Sequence, residues 1–372
     1  MKSNAVKNIR HFPLLVILFL LCAAGCDSDR GETVTGALYN KKIGELKSVS
    51  IPSDSIGVHA TFRYAIGRNS SMLAGQYEGV SAFSVFKFAK PSQSILDSLV
   101  TAKLTLPVNK LWKDGDLEFG LYSTTSAWSD TSRIDADLFI ADLGMPIAVV
   151  SDTASTVSSL NFYISRDVMA SWDEHGSFLL KNTDQGLGMA GLSSDNATTT
   201  PRLALITEKA FGLKDTTTVQ CREATYYIDN GIAQGSTVIS NGDASGFVLY
   251  FPLPAFNPVP TAINTCILNL AINEHLLATG SMSFKINFLT NKFTDIASAQ
   301  INSGLSREVV LTPESTTYQV DISSFINNWY NLNQPNYGIL FKPTTICTSP
   351  NFAVIEQADS LVIRYTTLPE LE

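Results

Sequence analysis

Ala102-Lys103-Leu104-Thr105-Leu106 and Cys266-Ile267-Leu268-Asn269-Leu270 carry the same pattern, with buried-type and polar-type positions alternating, and from Leu104 to Leu268 the step is 164 residues. A period of two belongs to a strand with one buried face, because successive side chains leave a strand on opposite sides. Other segments recur in the same order. Leu117-Glu-Phe119-Gly-Leu121 matches Met282-Ser-Phe284-Lys-Ile286, and Phe162-Tyr-Ile164 matches Val320-Asp-Ile322. Phe178-Leu-Leu180-Lys181 matches Ile339-Leu-Phe341-Lys342, and Leu203-Ala-Leu205 matches Leu361-Val-Ile363. Gly79 to Phe88 and Gly242 to Phe251 open the two series, aligned with Phe83 opposite Phe247. Spacings that drift between 157 and 165 mean that loops changed length between preserved strands. Two periods of this length make tandem domains, not a solenoid.

Pro91-Ser92, Asp114-Gly115-Asp116, Asn257-Pro258 and Asn333-Gln-Pro335-Asn336 punctuate the strands as turns. No long helical pattern alternates with them, so the expected fold class is all-β: two tandem antiparallel β-sandwiches, jelly-roll-like, each with one short helix. That helix follows Ile164 in the first copy, with Val168 and Trp172 at helical spacing. It follows Ile322 in the second, with Phe325, Ile326 and Trp329; Ser165 and Ser323 stand as N-caps.

The chain has 372 residues, 45% apolar and 16% charged, a composition that folds. Its net charge of -8, with no cluster of Lys and Arg, excludes nucleic acid as a partner. Lys2, Lys7 and Arg10 precede the apolar run Phe12 to Gly25, whose 14 residues fall short of the roughly 18 that span a bilayer. This reads as an export signal. Ala23-Ala24-Gly25-Cys26 resembles the bacterial lipobox, with Ala23 where leucine is usual, and the resemblance implies a lipid anchor on Cys26. The expected organisation is then a signal peptide at 1–25, anchor and tether at 26–55, and sandwiches at 56–208 and 220–372 joined by a linker at 209–219. The expected location is the bacterial cell envelope, attached to a membrane through lipid on Cys26, at the outer membrane or cell surface rather than the inner membrane.

The order of motifs resembles the DNRLRE-type domains, β-sandwich modules related to carbohydrate-binding modules. Gly67-Arg68-Asn69, Phe83 to Phe88, Ala102 to Leu106, Trp128-Ser129-Asp130, Ile164 to Trp172, Phe178-Leu-Leu180 and Pro201-Arg202-Leu203 carry it in the first copy. The second copy has Phe293-Thr294-Asp295 in place of the Trp motif and Asp359-Ser360-Leu361 at the end, and keeps Tyr337-Gly338-Ile339-Leu340. The namesake hexapeptide is absent. The resemblance implies a non-catalytic surface protein that binds glycan, adheres, or serves structurally, with polysaccharide or another envelope protein as partner.

The residues themselves offer little catalytic chemistry. His59, His175 and His275 fall in no metal-ligand spacing, and Asp173-Glu174-His175 reads as a polar turn. Asp114, Asp116, Asp135 and Asp137 alternate on short polar stretches, where a calcium loop is the only cofactor site to consider. A sugar ring stacks on exposed aromatics, and three stand near turns: Trp112, flanked by lysines between two strands, and Tyr330 and Tyr337 beside Asn-rich turns. Three cysteines leave one unpaired in an exported protein; strand parity buries Cys266, so Cys221 and Cys347 are the expected disulfide. An accessory polysaccharide lyase or hydrolase is the alternative reading, and a ligand-free spacer the third.

Overall fold

The computed structural model describes residues 45–367, apart from 65, 114, 131–133, 142, 153–156, 173–175, 184–186, 234, 257–259, 295 and 358. The signal segment, Cys26 and the tether before Glu45 lie outside the described residues, as do Asp114 and Asp173-Glu174-His175.

An arm of two strands comes first, β1 (Leu46–Ile51) and β2 (Gly57–Arg63). The first copy follows with β3 (Ser71–Tyr77), β4 (Val80–Phe88), β5 (Leu99–Trp112), β6 (Leu117–Thr124), β7 (Ala148–Asp152), β8 (Ser159–Ser165), β9 (Ser177–Asn182), β10 (Gly188–Ser193) and β11 (Arg202–Glu208). A long strand, β12 (Lys214–Asp229), leads to the second copy. That copy has β13 (Val238–Ser240), β14 (Ser245–Tyr250), β15 (Pro260–Leu276), β16 (Met282–Leu289), β17 (Ile301–Leu311), β18 (Thr317–Asp321), β19 (Ile339–Pro343), β20 (Phe352–Gln357) and β21 (Leu361–Thr367). Short helices α1 (Gln93–Ser98), α2 (Ala136–Ile140), α3 (Arg166–Ala170) and α4 (Ser323–Tyr330) interrupt them.

Pairing shows two copies of one topology. The first runs β12-β11-β5-β10-β3-β4-β9-β6-β7 with β8 on β5; the second runs β1-β21-β15-β20-β13-β14-β19-β16-β17 with β18 on β15. Every pairing described is antiparallel, as the turn-rich, helix-poor sequence requires. In each copy a long strand serves both layers of the sandwich. The first half of β5 pairs with β11 and β8, and its end pairs with β10 after a register shift opposite Gly191 and Leu192. Inward positions meet as the alternation demands: Leu104, Phe119, Phe162, Leu180 and Leu203 are buried in the first copy, and Leu268, Phe284, Ile322, Phe341 and Leu361 in the second. Each such side chain contributes roughly 1.5–3 kcal/mol by leaving water.

The closing strands are exchanged between the ends of the chain. In the first copy β12 closes the sandwich, pairing with β11 through Lys214–Gln220 and with β4 through Cys221–Asp229. In the second copy that place is taken by the arm, β1 on β21 and β2 on β14. A turn at Ser53–Ser55 after Pro52 divides the arm; β12 instead crosses between layers at a register shift between Cys221 and Glu223. The expected boundaries are therefore corrected. Residues 57–63 belong with the second sandwich, and the supposed linker at 209–219 is a tight hairpin tip and the start of a strand of the first. A local pattern cannot reveal which of two equivalent sheets a strand joins. Tyr226 of β12 also reaches across, its hydroxyl donating to the Gly242 carbonyl, and the first core runs through Tyr226 and Ile228 to Leu276, Cys347 and Phe352.

One register is corrected too. Val85 pairs with Leu179 and Val248 with Leu340, so Val85 corresponds to Val248 and Lys87 to Tyr250. Aligning Phe83 with Phe247 slips the strand by one residue, which exchanges its two faces. Phe83 packs on the outer side of its sheet, whereas Phe247 points into the core.

The helices plug the sandwich ends. Trp172, just past α3, stacks on Phe178 at 4.8 Å, and Trp329 of α4 meets Phe288 at 5.3 Å and Phe251 at 5.7 Å. Ser165 caps α3, accepting from the Val168 amide at 3.4 Å. Ser323 is not the cap of α4. Ile322 stands at the N-cap without a capping side chain, and the Asp321 carboxylate just before it accepts from the Ser323 amide at 2.8 Å and from the Ser323 hydroxyl, while Ser323 Oγ accepts the Cys266 amide at 2.7 Å. These hydrogen bonds hold the Asp321 carboxyl below its ordinary range. A carboxyl depressed by folding adds stability above its unfolded pKa, and that increment fades as pH falls through the folded value. Asp321→Ala should cost about 1 kcal/mol in urea unfolding at neutral pH, and the difference from the parent should shrink on acidification.

Candidate functional site

The inward turn of Phe247, Leu249 and Phe251 sends Val248 and Tyr250 to the outer face of the second sandwich. Val248, Leu289 and Leu340 form a patch there that would face water bare. The segment after β16 covers it with Phe293, Ile296, Ala299 and Ile301, and β2 adds Phe62. Tyr250, at the end of the row, stays 39% exposed.

Around it lies a cleft of about 250 Å³ lined by His59, Ala60, Tyr250, Lys292, Phe293, Thr294, Asn336 and Tyr337. Three local devices aim these side chains. β2 carries a bulge, since Ala60 pairs with Val248 and Val58 with Leu249, which leaves His59 as the extra residue. A bulge re-aims the residue it frees, and the His59 ring lies 6.0 Å from that of Tyr250, tilted by 46°. Asn336 fixes the approach to Tyr337: its Nδ2 donates to the Phe251 carbonyl at 2.8 Å, and its Oδ1 accepts from the Gly338 amide at 3.0 Å. Gly338 has φ of 95°, and a Cβ there would sit 2.7 Å from the Leu249 carbonyl oxygen, so only glycine lets Tyr337 turn into the cleft. The Lys292 ammonium and Thr294 hydroxyl stand exposed at the rim. Rings below and donors at the rim suit a ligand that has C–H faces and hydroxyl edges.

At the corresponding corner of the first sandwich the described residues are of another kind. Lys87 replaces Tyr250 there, 3.5 Å from Glu223 and 5.9 Å from the Trp128 ring centroid. Trp128 Nε1 donates to Ser177 Oγ at 2.9 Å, and Gly176 falls where the second copy has Tyr337. An ion pair and an indole thus stand in the first copy at the positions of Tyr250 and Phe293.

Of the three aromatics proposed from sequence to stack on a ligand, Tyr337 alone lines this cleft. Trp112 is 4% exposed and belongs to the first core, its ring 3.3 Å from where a Cβ on Gly191 would stand. The correction follows from strand length: β5 runs on past its register shift to Trp112, which stands opposite the fully buried Met189 of β10. Tyr330 is half-buried and packs edge-on against Phe256 at 4.5 Å, at the border of the second core. The Asp135 carboxylate caps α2, accepting from the Asp137 amide at 3.1 Å; Asp116 is exposed, and its carbonyl accepts the Leu187 amide. Among the described residues no three metal-ligating side chains converge.

Cys221 and Cys347 form no disulfide; they and Cys266 are free thiols. Cys347 hydrogen-bonds with Tyr226, and Cys221 lies five residues back along the same extended strand, roughly 16 Å away at ~3.3 Å per residue. Burial pushes the Cys266 and Cys347 thiols up to about 12 and raises that of Cys221 as well. The native protein should therefore resist alkylation at these three positions. Mass spectrometry should find all three modified once denaturant is added, with no reductant needed.

No family model matches the chain, and no curated protein matches it. Among solved structures, the N-terminal CBM22-1-CBM22-2 tandem domain from Paenibacillus barcinonensis Xyn10C covers 88% of this chain and 99% of its own, at 10% identity and a TM-score of 0.19. A likeness of that size carries nothing about ligand or mechanism.

Sequence reasoning gave no ligand role to Tyr250, His59 or Phe293. Its one-residue slip set Tyr250 opposite Phe86, a core residue, and so hid an outward tyrosine. His59 becomes a wall of the site only through the exchanged arm, and Phe293 through the cover that it shares with Tyr337.

Proposed function

We propose that this chain is a non-catalytic glycan-binding protein of the bacterial cell envelope, held by lipid on Cys26, and that its second sandwich takes the sugar chain. The observation that carries the reading is the cleft in which His59, Tyr250, Phe293 and Tyr337 surround a space with Lys292 and Thr294 at its rim. A pyranose would lay its C–H face on Tyr250 while its hydroxyls meet the ammonium and hydroxyl of the rim. The doubled motif order that resembles DNRLRE-type domains supports the same class of ligand. The Cys26 lipobox-like segment supports the lipid anchor and a place at the outer membrane or cell surface.

The test is a glycan array on the full chain, followed by titration of the best polysaccharide against Tyr250→Ala and Tyr337→Ala. Loss of one stacked ring is worth about 1.4 kcal/mol, so each variant should bind at least about tenfold more weakly, and Tyr250→Ala, at an exposed ring outside the core clusters, should do so with an unchanged unfolding temperature. Retention of no glycan, or of one whose affinity ignores both variants, would end the proposal. Release of new reducing or unsaturated ends from a bound polysaccharide would make the chain an enzyme instead.

A further inference from the structure

The hairpin between β11 and β12 presents at its tip a phenylalanine that folding does not use. Phe211 is 100% exposed and Leu213 is 66% exposed. Phe211 also has φ of 67°, in the left-handed region where a bulky residue is an outlier, so the backbone is strained and the ring is given to water in the same turn. The turn itself is well closed: the Lys209 amide donates to the Leu213 carbonyl at 2.8 Å, and the Gly212 amide to the Lys209 carbonyl at 3.2 Å. These bonds shape the tip so that its apolar side chains stand outward.

Charge and area narrow what could cover them. Glu208, Lys209, Lys214 and Asp215 flank the tip and cancel, with Lys209 Nζ 2.6 Å from the Asp215 carboxylate. Attraction to an anionic surface is thus absent, and burial of apolar area is the force available. A phenylalanine buries at most about 250 Å², and a leucine less, far below the roughly 1,200 Å² of a stable protein–protein interface. A convex point of two side chains is too small to hold a protein partner. A bilayer asks for no complementary shape, and Phe and Leu settle at the boundary of headgroups and acyl chains. The same corner of the second sandwich is where the chain arrives from its N-terminal side, the Thr367 amide there donating to the Glu45 carbonyl as Lys209 does to Leu213. One copy thus receives the tether at the corner where the other bears the apolar tip.

We infer that the Phe211 tip enters the interfacial layer of a lipid bilayer as a second membrane contact, driven by apolar burial and indifferent to lipid charge. The inference rests on the lipid-anchored reading only for the local concentration of bilayer, and it makes no use of the aromatic cleft.

The test places the full acylated chain carrying Phe211→Trp in phosphatidylcholine vesicles, with the emission of the parent subtracted. Phe211 is fully exposed, so the substitution leaves packing untouched, which circular dichroism verifies. The expected result is a blue-shifted difference spectrum, quenched by lipid brominated near the headgroup end of its acyl chains. Replacing part of the phosphatidylcholine with phosphatidylglycerol should leave it unchanged, and adding Leu213→Asp should abolish it. Water-like, unquenched emission would overturn the inference, and so would a blue shift already present without vesicles in a chain of doubled mass, since a second copy would then cover the tip. Flotation of the parent against Cys26→Ala scores the anchor separately. If the parent does not float, the tip is judged by the same quenching at excess vesicles, where its absence counts against it.

Discussion

Deleting Leu46–Arg63, so that the preceding residues join directly to Tyr64, should unfold the second sandwich and spare the first. The arm closes two strand edges of the second copy, along Leu361–Thr366 of β21 and Ser245–Tyr250 of β14. Its loss would bare the amides and carbonyls of both edges, remove Ile51 and Ile56 from the core, and lift Phe62 from the outer patch. It would also strip the Arg63 guanidinium from Asp243, a buried carboxylate 3.1 Å away that accepts a further hydrogen bond from Ser245. A buried charge left without its partner costs several kcal/mol, and losing a closing strand costs more; together they rival the 5–15 kcal/mol that holds a domain folded. Hydrogen exchange should locate the damage. Protection should vanish along β14, β19 and β21 and persist along β4, β9 and β11. Were residues 57–63 part of the first sandwich, the pattern would be the reverse.

Trp112→Ala should be the most destabilising single change in the first sandwich. Its indole lies in the core beside Gly191, and Leu192 next along β10 is fully buried, so truncation opens a cavity rather than a surface. Loss of a buried Trp costs about 3–5 kcal/mol, which in a sandwich of this size lowers the midpoint of thermal unfolding by roughly 10 °C or more. Glycan affinity measured well below that midpoint should match the parent, because the aromatic cleft belongs to the other copy. Calorimetry paired with titration separates the two roles: weakened binding with unchanged stability would return Trp112 to the ligand.

The strands, their inward faces and the repeat were legible because each rests on local alternation, as in Leu104, Leu106, Leu268 and Leu270. Strand ends were less so. The burial of Trp112 depends on β5 continuing through Asn109-Lys110, which look like a connector. The exchange of closing strands left no trace in the pattern, since β1–β2 and β12 fit equivalent places in two equivalent sheets and only long-range pairing chooses between them. The cleft depends on all three kinds of information. Tyr337 was visible beside its Asn-rich turn, Tyr250 needed the correct register, and His59 needed the exchange that carries the arm across the chain.

That exchange is the claim on which both the fold and the cleft wall depend, and a cross-link tests it most directly. Ser48 and Arg364 are opposite partners in the β1–β21 ladder. With Ser48→Cys and Arg364→Cys, mild oxidation should give a monomer in which mass spectrometry finds a 48–364 disulfide, and glycan affinity should equal that of the parent. No 48–364 bridge, or one that forms only between two chains, would contradict the account.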